Sequence, residues 1–149
     1  MVSKQADIIA ALVASLDAVT WTATADAVTV ETKNFPTYDI EELENPVIVV
    51  TDGGIDSERL ARSAHQRDYS VEIYLARHTP TEAACDVMLD LLEELLDKLE
   101  DHSWGAVSWP SGISSPQTIT VEKNPDEALV ERNVWRAGLV VTYRYPRAH

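Results

Sequence analysis

Between Thr79 and Asp101 the hydrophobic positions fall at Ala84, Val87, Met88, Leu91, Leu92, Leu95, Leu96 and Leu99. That three-and-four spacing marks one stripe of an amphipathic helix. Asp86, Asp90, Glu93, Glu94, Asp97, Glu100 and Asp101 fill much of the other side. Thr79-Pro80-Thr81-Glu82 suits the start: a capping hydroxyl, an imino acid with no N–H to leave unpaired, and a carboxylate three residues after the cap. The pattern predicts a helix over about 80–101, roughly 33 Å long. Directly before it, Arg67 to Leu75 alternates with a period of two, as a strand does. One long helix laid across a sheet is the simplest reading.

The rest of the chain extends that plan. Residues 3–19 form a second amphipathic helix, with Ser3 as N-cap and a buried stripe of Ile8, Ile9, Leu12, Val13, Leu16 and Val19. It packs on its own sheet or serves as a terminal arm that docks on a neighbour. Thr20 to Thr32 is rich in Thr, Val and Ala and predicts one or two strands, broken near Ala25-Asp26. Pro36 interrupts the pattern, and Asp39 to Leu43 reads as one helical turn. Pro46 to Thr51 is a continuous apolar run, which implies a strand buried on both faces. Asp52-Gly53-Gly54 predicts a turn, with no following Gly-Lys-Ser/Thr to make a nucleotide loop.

Ser57 to Gln66 fits either a short helix or a strand extension reaching beyond the sheet. His102 to Pro116 is a long loop of Ser, Gly and Pro carrying Trp104 and Trp109, and loops of that length are often functional. Gln117 to Lys123 alternates again, Asn124-Pro125-Asp126 turns, and Asn133 to Tyr145 closes the sheet. In that last strand Trp135, Ala137, Leu139, Val141 and Tyr143 share one face. The expectation is one α+β domain over 1–149 with a mostly antiparallel sheet.

Composition narrows the function. At 149 residues the chain can bury about 68–70% of its unfolded surface, and with 45% hydrophobic residues it needs neither disulfide nor metal to build a core. The single cysteine excludes an intramolecular disulfide. There is no basic-then-apolar leader and no apolar run long enough to span a bilayer, so a soluble protein made in the cytoplasm is expected. Twenty-five acidic against twelve basic side chains give a net charge of −13, which repels nucleic acid unless the bases are concentrated on one face. The densest basic region is Arg59, Arg62, Arg67 and Arg77, with His65.

Chemistry is sparse. His65, His78, His102 and His149 show no paired metal spacing, and Cys85 lies one turn from Met88 and Leu89, as a buried thiol would. Ser111 and Ser114 lack a strand–turn–helix setting, and the carboxylates of the long helix sit at solvent-face spacing rather than opposed across a cleft. No catalytic residue, cofactor site or metal site is expected, and the chain is read as a non-enzyme. Arg59, Arg62, Arg67, Arg77, Trp104 and Trp109 are the candidate contact residues; the arginines either meet acids of another subunit or pair with the chain's own.

The series of an N-terminal helix, a β segment, Asn34-Phe35-Pro36-Thr37-Tyr38-Asp39-Ile40-Glu41-Glu42-Leu43, a Pro-Val-Ile-Val-Val strand, an Arg-rich run, Arg67-Asp68-Tyr69-Ser70-Val71-Glu72-Ile73-Tyr74, a Thr-Pro-Thr-Glu helix and a long final strand resembles a known family. It is similar, over nearly the whole chain, to the small tail-terminator and tail-completion (minor tail) proteins of long-tailed bacteriophages and their prophage relatives. The resemblance implies a structural virion protein with an α/β or α+β domain that assembles as a homo-oligomeric ring, commonly a hexamer, at the neck. Such a ring sits on the head-proximal end of the tail tube, stops its growth and enables head–tail joining. The implied partners are the tail tube protein and a head-completion or connector protein, with no specific nucleic acid and no membrane. The alternatives are another neck component, such as a head-completion protein, or a small cytosolic enzyme or ligand-binding domain.

Overall fold

A computed structural model describes residues 4–24, 27–32, 44–61, 64–78, 82–100, 118–123 and 134–148. The elements follow in the order α1 (Lys4–Asp17), β1 (Thr29–Thr32), β2 (Val47–Ala61), β3 (Ala64–His78), α2 (Glu82–Glu100), β4 (Thr118–Lys123) and β5 (Val134–Ala148). The five strands make one sheet in the order β1-β2-β3-β5-β4. β1 runs parallel to β2, and the other neighbours are antiparallel. The fold is α+β, as the alternation of amphipathic helix and strand patterns predicts.

Period-two alternation decides which side of the sheet is covered. Register sets Val71 beside Val141 and Ile73 beside Leu139, while Val50 stands beside Ile73. These residues, with Ile48, Leu75, Trp135, Ala137 and Tyr143, form one buried cluster with Ile8, Leu12 and Leu16 of α1 and Met88, Leu91, Leu95 and Leu99 of α2. Both helices therefore contribute to the core on one face. Leu92 and Leu96 are half-buried at its margin, and Leu89 is 45% exposed, so the buried stripe of α2 is narrower than its hydrophobic stripe. Cys85 is a free, half-buried thiol packed against the same core. The run from Val47 to Thr51 is buried throughout. Ile48 and Val50 enter the main core, and Val47 and Val49 join Val134, Tyr74 and Ala76 in a second cluster on the other face.

Three local readings are settled by where hydrogen bonds go. First, of the segment Thr20 to Thr32 only Thr29–Thr32 is a strand among the described residues. The N–H groups of Thr22 and Ala23, which a ladder would use, donate instead to the Glu94 carboxylate at 3.0 Å, and the Thr22 hydroxyl joins them at 2.7 Å. Second, Asp52-Gly53-Gly54 is not a turn. It lies inside β2, where the register slips between Asp52 and Ile55 in a bulge. The Gln5 amide of α1 bridges it to β3, donating to Gly53 O at 3.1 Å and Ser70 O at 2.9 Å. Third, the segment from Ser57 to Gln66 is strand on both sides of residues 62–63, the extension rather than the helix. The predicted turn at 39–43, the loop at 102–116, the turn at 124–126 and the caps at Ser3 and Thr79 lie outside the described residues.

The Glu94 clasp titrates. Burial opposes its charge, but hydrogen bonds from the Thr22 hydroxyl, Ala23 N–H and Thr22 N–H, with Lys98 nearby, outweigh burial and hold the carboxyl below the ordinary Glu range. A carboxyl lowered in the folded state contributes stability that is complete above its unfolded value and is lost as pH falls through the folded one. Glu94→Gln should cost roughly 0.5–1.5 kcal/mol at neutral pH, the range for a hydrogen bond in a partly wet site. Urea midpoints of the two proteins should converge on acidification. A gap that stays constant into acid would remove Glu94 as the titrating clasp.

Candidate interaction surface

The sheet changes width along its length. β1 pairs with β2 over Val47 to Val50, and β4 pairs with β5 over Ala137 to Thr142. Beyond these limits the ladder continues as three strands: β2 to Ala61, β3 back to Ala64 and β5 to Ala148. Tyr69 and Tyr143 are the last core residues before this arm, facing each other in register. Tyr143 is fully buried, and burial pushes its hydroxyl pKa up, so it stays neutral.

Register assembles the arm's charges. Arg67 stands between Ser57 and Tyr145, and two residues farther out His65 stands between Arg59 and Arg147. Positions two apart on a strand share a face, so these two rows lie on the same side of the arm as Tyr69 and Tyr143. The alternate row holds Asp68 beside Asp56 and Arg144. There the Arg144 guanidinium donates to both Asp68 carboxylate oxygens, from Nε at 3.1 Å and Nη2 at 3.4 Å. Turned so that its oxygen faces Arg144, the Gln66 amide accepts from the same guanidinium, at 2.8 Å from Nε. One face of the arm thus pairs Arg144 with Asp68, and the other collects basic positions.

This rearranges the predicted contact set. Arg59 and Arg67 are brought onto one face with His65. Arg77 is not part of it: it stands opposite Trp135 at the other end of β3, about 33 Å from Arg67 at the usual rise per strand residue. Arg62, Trp104 and Trp109 lie outside the described residues. Arg147 was missed by sequence reading, because nothing local to the last strand reveals that it pairs with position 65.

The exposed side of α2 has the opposite sign. Asp86, Asp90, Glu93, Asp97 and Glu100 are all exposed and recur every three or four residues, a stripe about 21 Å long. Like charges at that spacing repel by a few tenths of a kcal/mol per pair.

Elsewhere the chemistry stays sparse. A cleft of about 450 Å³ opens between α1, β1 and β2, lined by Gln5, Ile9, Thr32, Thr51 and Asp52 among others. It carries a single carboxylate among the described residues, and the Gln5 amide nitrogen is already engaged by two carbonyls. On the sheet face away from the helices Tyr74 donates to Glu72 Oε2 at 3.1 Å, with the Arg136 guanidinium 4.6 Å from the ring centre. Burial and then Glu72 raise the Tyr74 pKa against the pull of Arg136, which suits a phenol that stays protonated. No group of three or more His, Cys, Asp or Glu side chains among the described residues is placed to hold a metal ion. No helix among them is long and apolar enough to cross a membrane. No protein-family model matches the chain, and no curated protein matches its sequence.

Proposed function

We propose that the chain is a tail-terminator protein of a long-tailed bacteriophage or prophage, a non-enzymatic virion component that forms a ring on the head-proximal end of the tail tube. The observation that carries the reading is the order of the sequence patterns, which is also the order of elements in the fold: helix, strand, buried strand, Arg-bearing extension, long helix and closing strand. A tube of identical rings has no inherent length limit, because each end offers the next ring the same surface. Termination needs a subunit that matches the tube on one face and refuses a further tube ring on the other. A small domain with a rigid sheet, a helix layer and a long arm has enough distinct surface to do both. Its tube-facing and connector-facing partners are the tail tube protein and a head-completion protein, with assembly in the host cytoplasm.

The test is a phage or prophage lacking this gene. It should produce filled heads without tails, and tubes of excessive or irregular length under the electron microscope. Adding the purified protein should restore joining. Tails of normal length that join heads in its absence would exclude the reading and favour a head-side neck component.

A further inference from the structure

The structure points to a specific contact between copies: we propose that the basic face of the arm, at Arg59, His65, Arg67 and Arg147, docks on the acidic stripe of α2 in a second copy of this chain.

Three observations support that occupant. The first is spacing. Arg59, His65 and Arg147 stand side by side on adjacent strands, so their backbones are about 4.8 Å apart across a row roughly 10 Å wide. The carboxylates of Asp86, Asp90, Glu93, Asp97 and Glu100 climb α2 at about one per 5.4 Å turn. A row of basic positions at one backbone spacing can lie along a row of acidic positions at nearly the same spacing. The second is position. The row lies four residues beyond Tyr69, about 13 Å past the last core pair, so the arm carries it away from the body of its own subunit. The third is what the stripe lacks at home. Arg144 on the other face of the arm is satisfied by Asp68, whereas none of the five stripe carboxylates forms an ion pair with a described residue.

Strand addition to the arm is disfavoured. One outer strand, β2, carries bulges at Asp52/Ile55 and Arg59/Ala61, and the other, β5, contains Pro146, which lacks an N–H. Docking therefore proceeds through side chains. Nucleic acid fits less well. A row only three residues wide spans few phosphates, and the chain around it carries a net charge of −13. Arm and stripe are different patches, so the contact is heterologous, the type that closes into rings. The inference rests on the ring reading for the identity of the partner, but the two fail separately: a tail-capping protein could pair through other surfaces, and this contact could exist in an assembly with another role.

Charge exchange tests it. Sedimentation velocity at low ionic strength should show the wild type associating and added salt dispersing it. Arg59→Glu with Arg147→Glu gives an acidic arm beside an acidic stripe. Asp90→Lys, Glu93→Lys and Asp97→Lys together give a basic arm beside a basic stripe. Each variant alone should associate at least about tenfold more weakly than the wild type. An equimolar mixture should associate again, because the acidic arm of one meets the basic stripe of the other and the second pair is the wild-type one. A misfolded variant could not be rescued in this way. Wild-type protein that stays monomeric at every concentration, variants that associate normally, or a mixture that stays dispersed would each overturn the proposal. Arm-dependent binding of a labelled DNA duplex to a monomer would transfer the surface to nucleic acid.

Discussion

Leu95→Ala should lower the unfolding free energy by about 2–5 kcal/mol in urea titration. Leu95 is 0% exposed and belongs to the cluster that joins α2 to Ile73, Leu139 and Val141 of the sheet. Truncation removes the transfer free energy of the side chain and leaves a void between helix and sheet that packed neighbours fill only partly. A loss at the upper end is a large fraction of the roughly 5–15 kcal/mol that holds an ordinary domain together. Leu89→Ala, six residues earlier on the exposed side of the same helix, should change stability by no more than about 0.5 kcal/mol. The pair controls for helix propensity, since both positions make the same Leu-to-Ala change. A Leu95 loss no larger than that of Leu89 would mean that α2 buries a different face.

Gly53→Ala should be costly and Gly54→Ala harmless, although the two are adjacent. A Cβ on Gly53 would meet Ser70 O at 2.7 Å and Ser70 C at 2.9 Å, backbone atoms of the neighbouring strand that cannot turn aside. The carbonyls of Gly53 and Ser70 are also held together by the Gln5 amide, so separating the strands would break that bridge. Overpacking of this kind costs about 1–3 kcal/mol. A Cβ on Gly54 meets nothing within 4 Å, so alanine there should be neutral or stabilising by about 0.4–1 kcal/mol through a less free unfolded chain. Chemical denaturation of both variants measures the contrast. Equal effects would place the close approach of β2 and β3 somewhere other than Gly53.

What the sequence disclosed depended on how local the cause was. The stripe from Met88 to Leu99 and the alternation from Tyr69 to Leu75 are written in residues that touch their own neighbours along the chain, and the helix, the strand and their shared core followed. The continuous run from Val47 to Thr51 likewise announced a strand covered on both faces. Asp52-Gly53-Gly54 misled because a glycine pair serves a turn and a bulge equally well. Only the opposing strand, with Ser70 pressed against Gly53, decides between them. The candidate contact surface was half legible. Arg59, His65 and Arg67 are close in sequence, but the hairpin that puts them on one face, and the pairing that adds Arg147 and leaves out Arg77, are long-range facts. Charge density along the chain cannot report either.

The last strand in the chain is not an edge strand. β5 lies between β3 and β4, and its register with β3 joins Ala64 to Ala148. Two neighbouring strands can zip early through a short hairpin, but this central ladder waits on closing a loop that takes in α2 and β4, and such distant pairings form slowly. Until it forms, Val71 and Ile73 lack their neighbours Val141 and Leu139, and β3 presents a fifteen-residue free edge to any other strand nearby. The completed arm and the completed core thus appear together, when β5 slots into place. If the arm docks on a second copy as proposed, a chain still waiting for that step has no finished surface to offer, and the fold itself would keep immature copies from pairing.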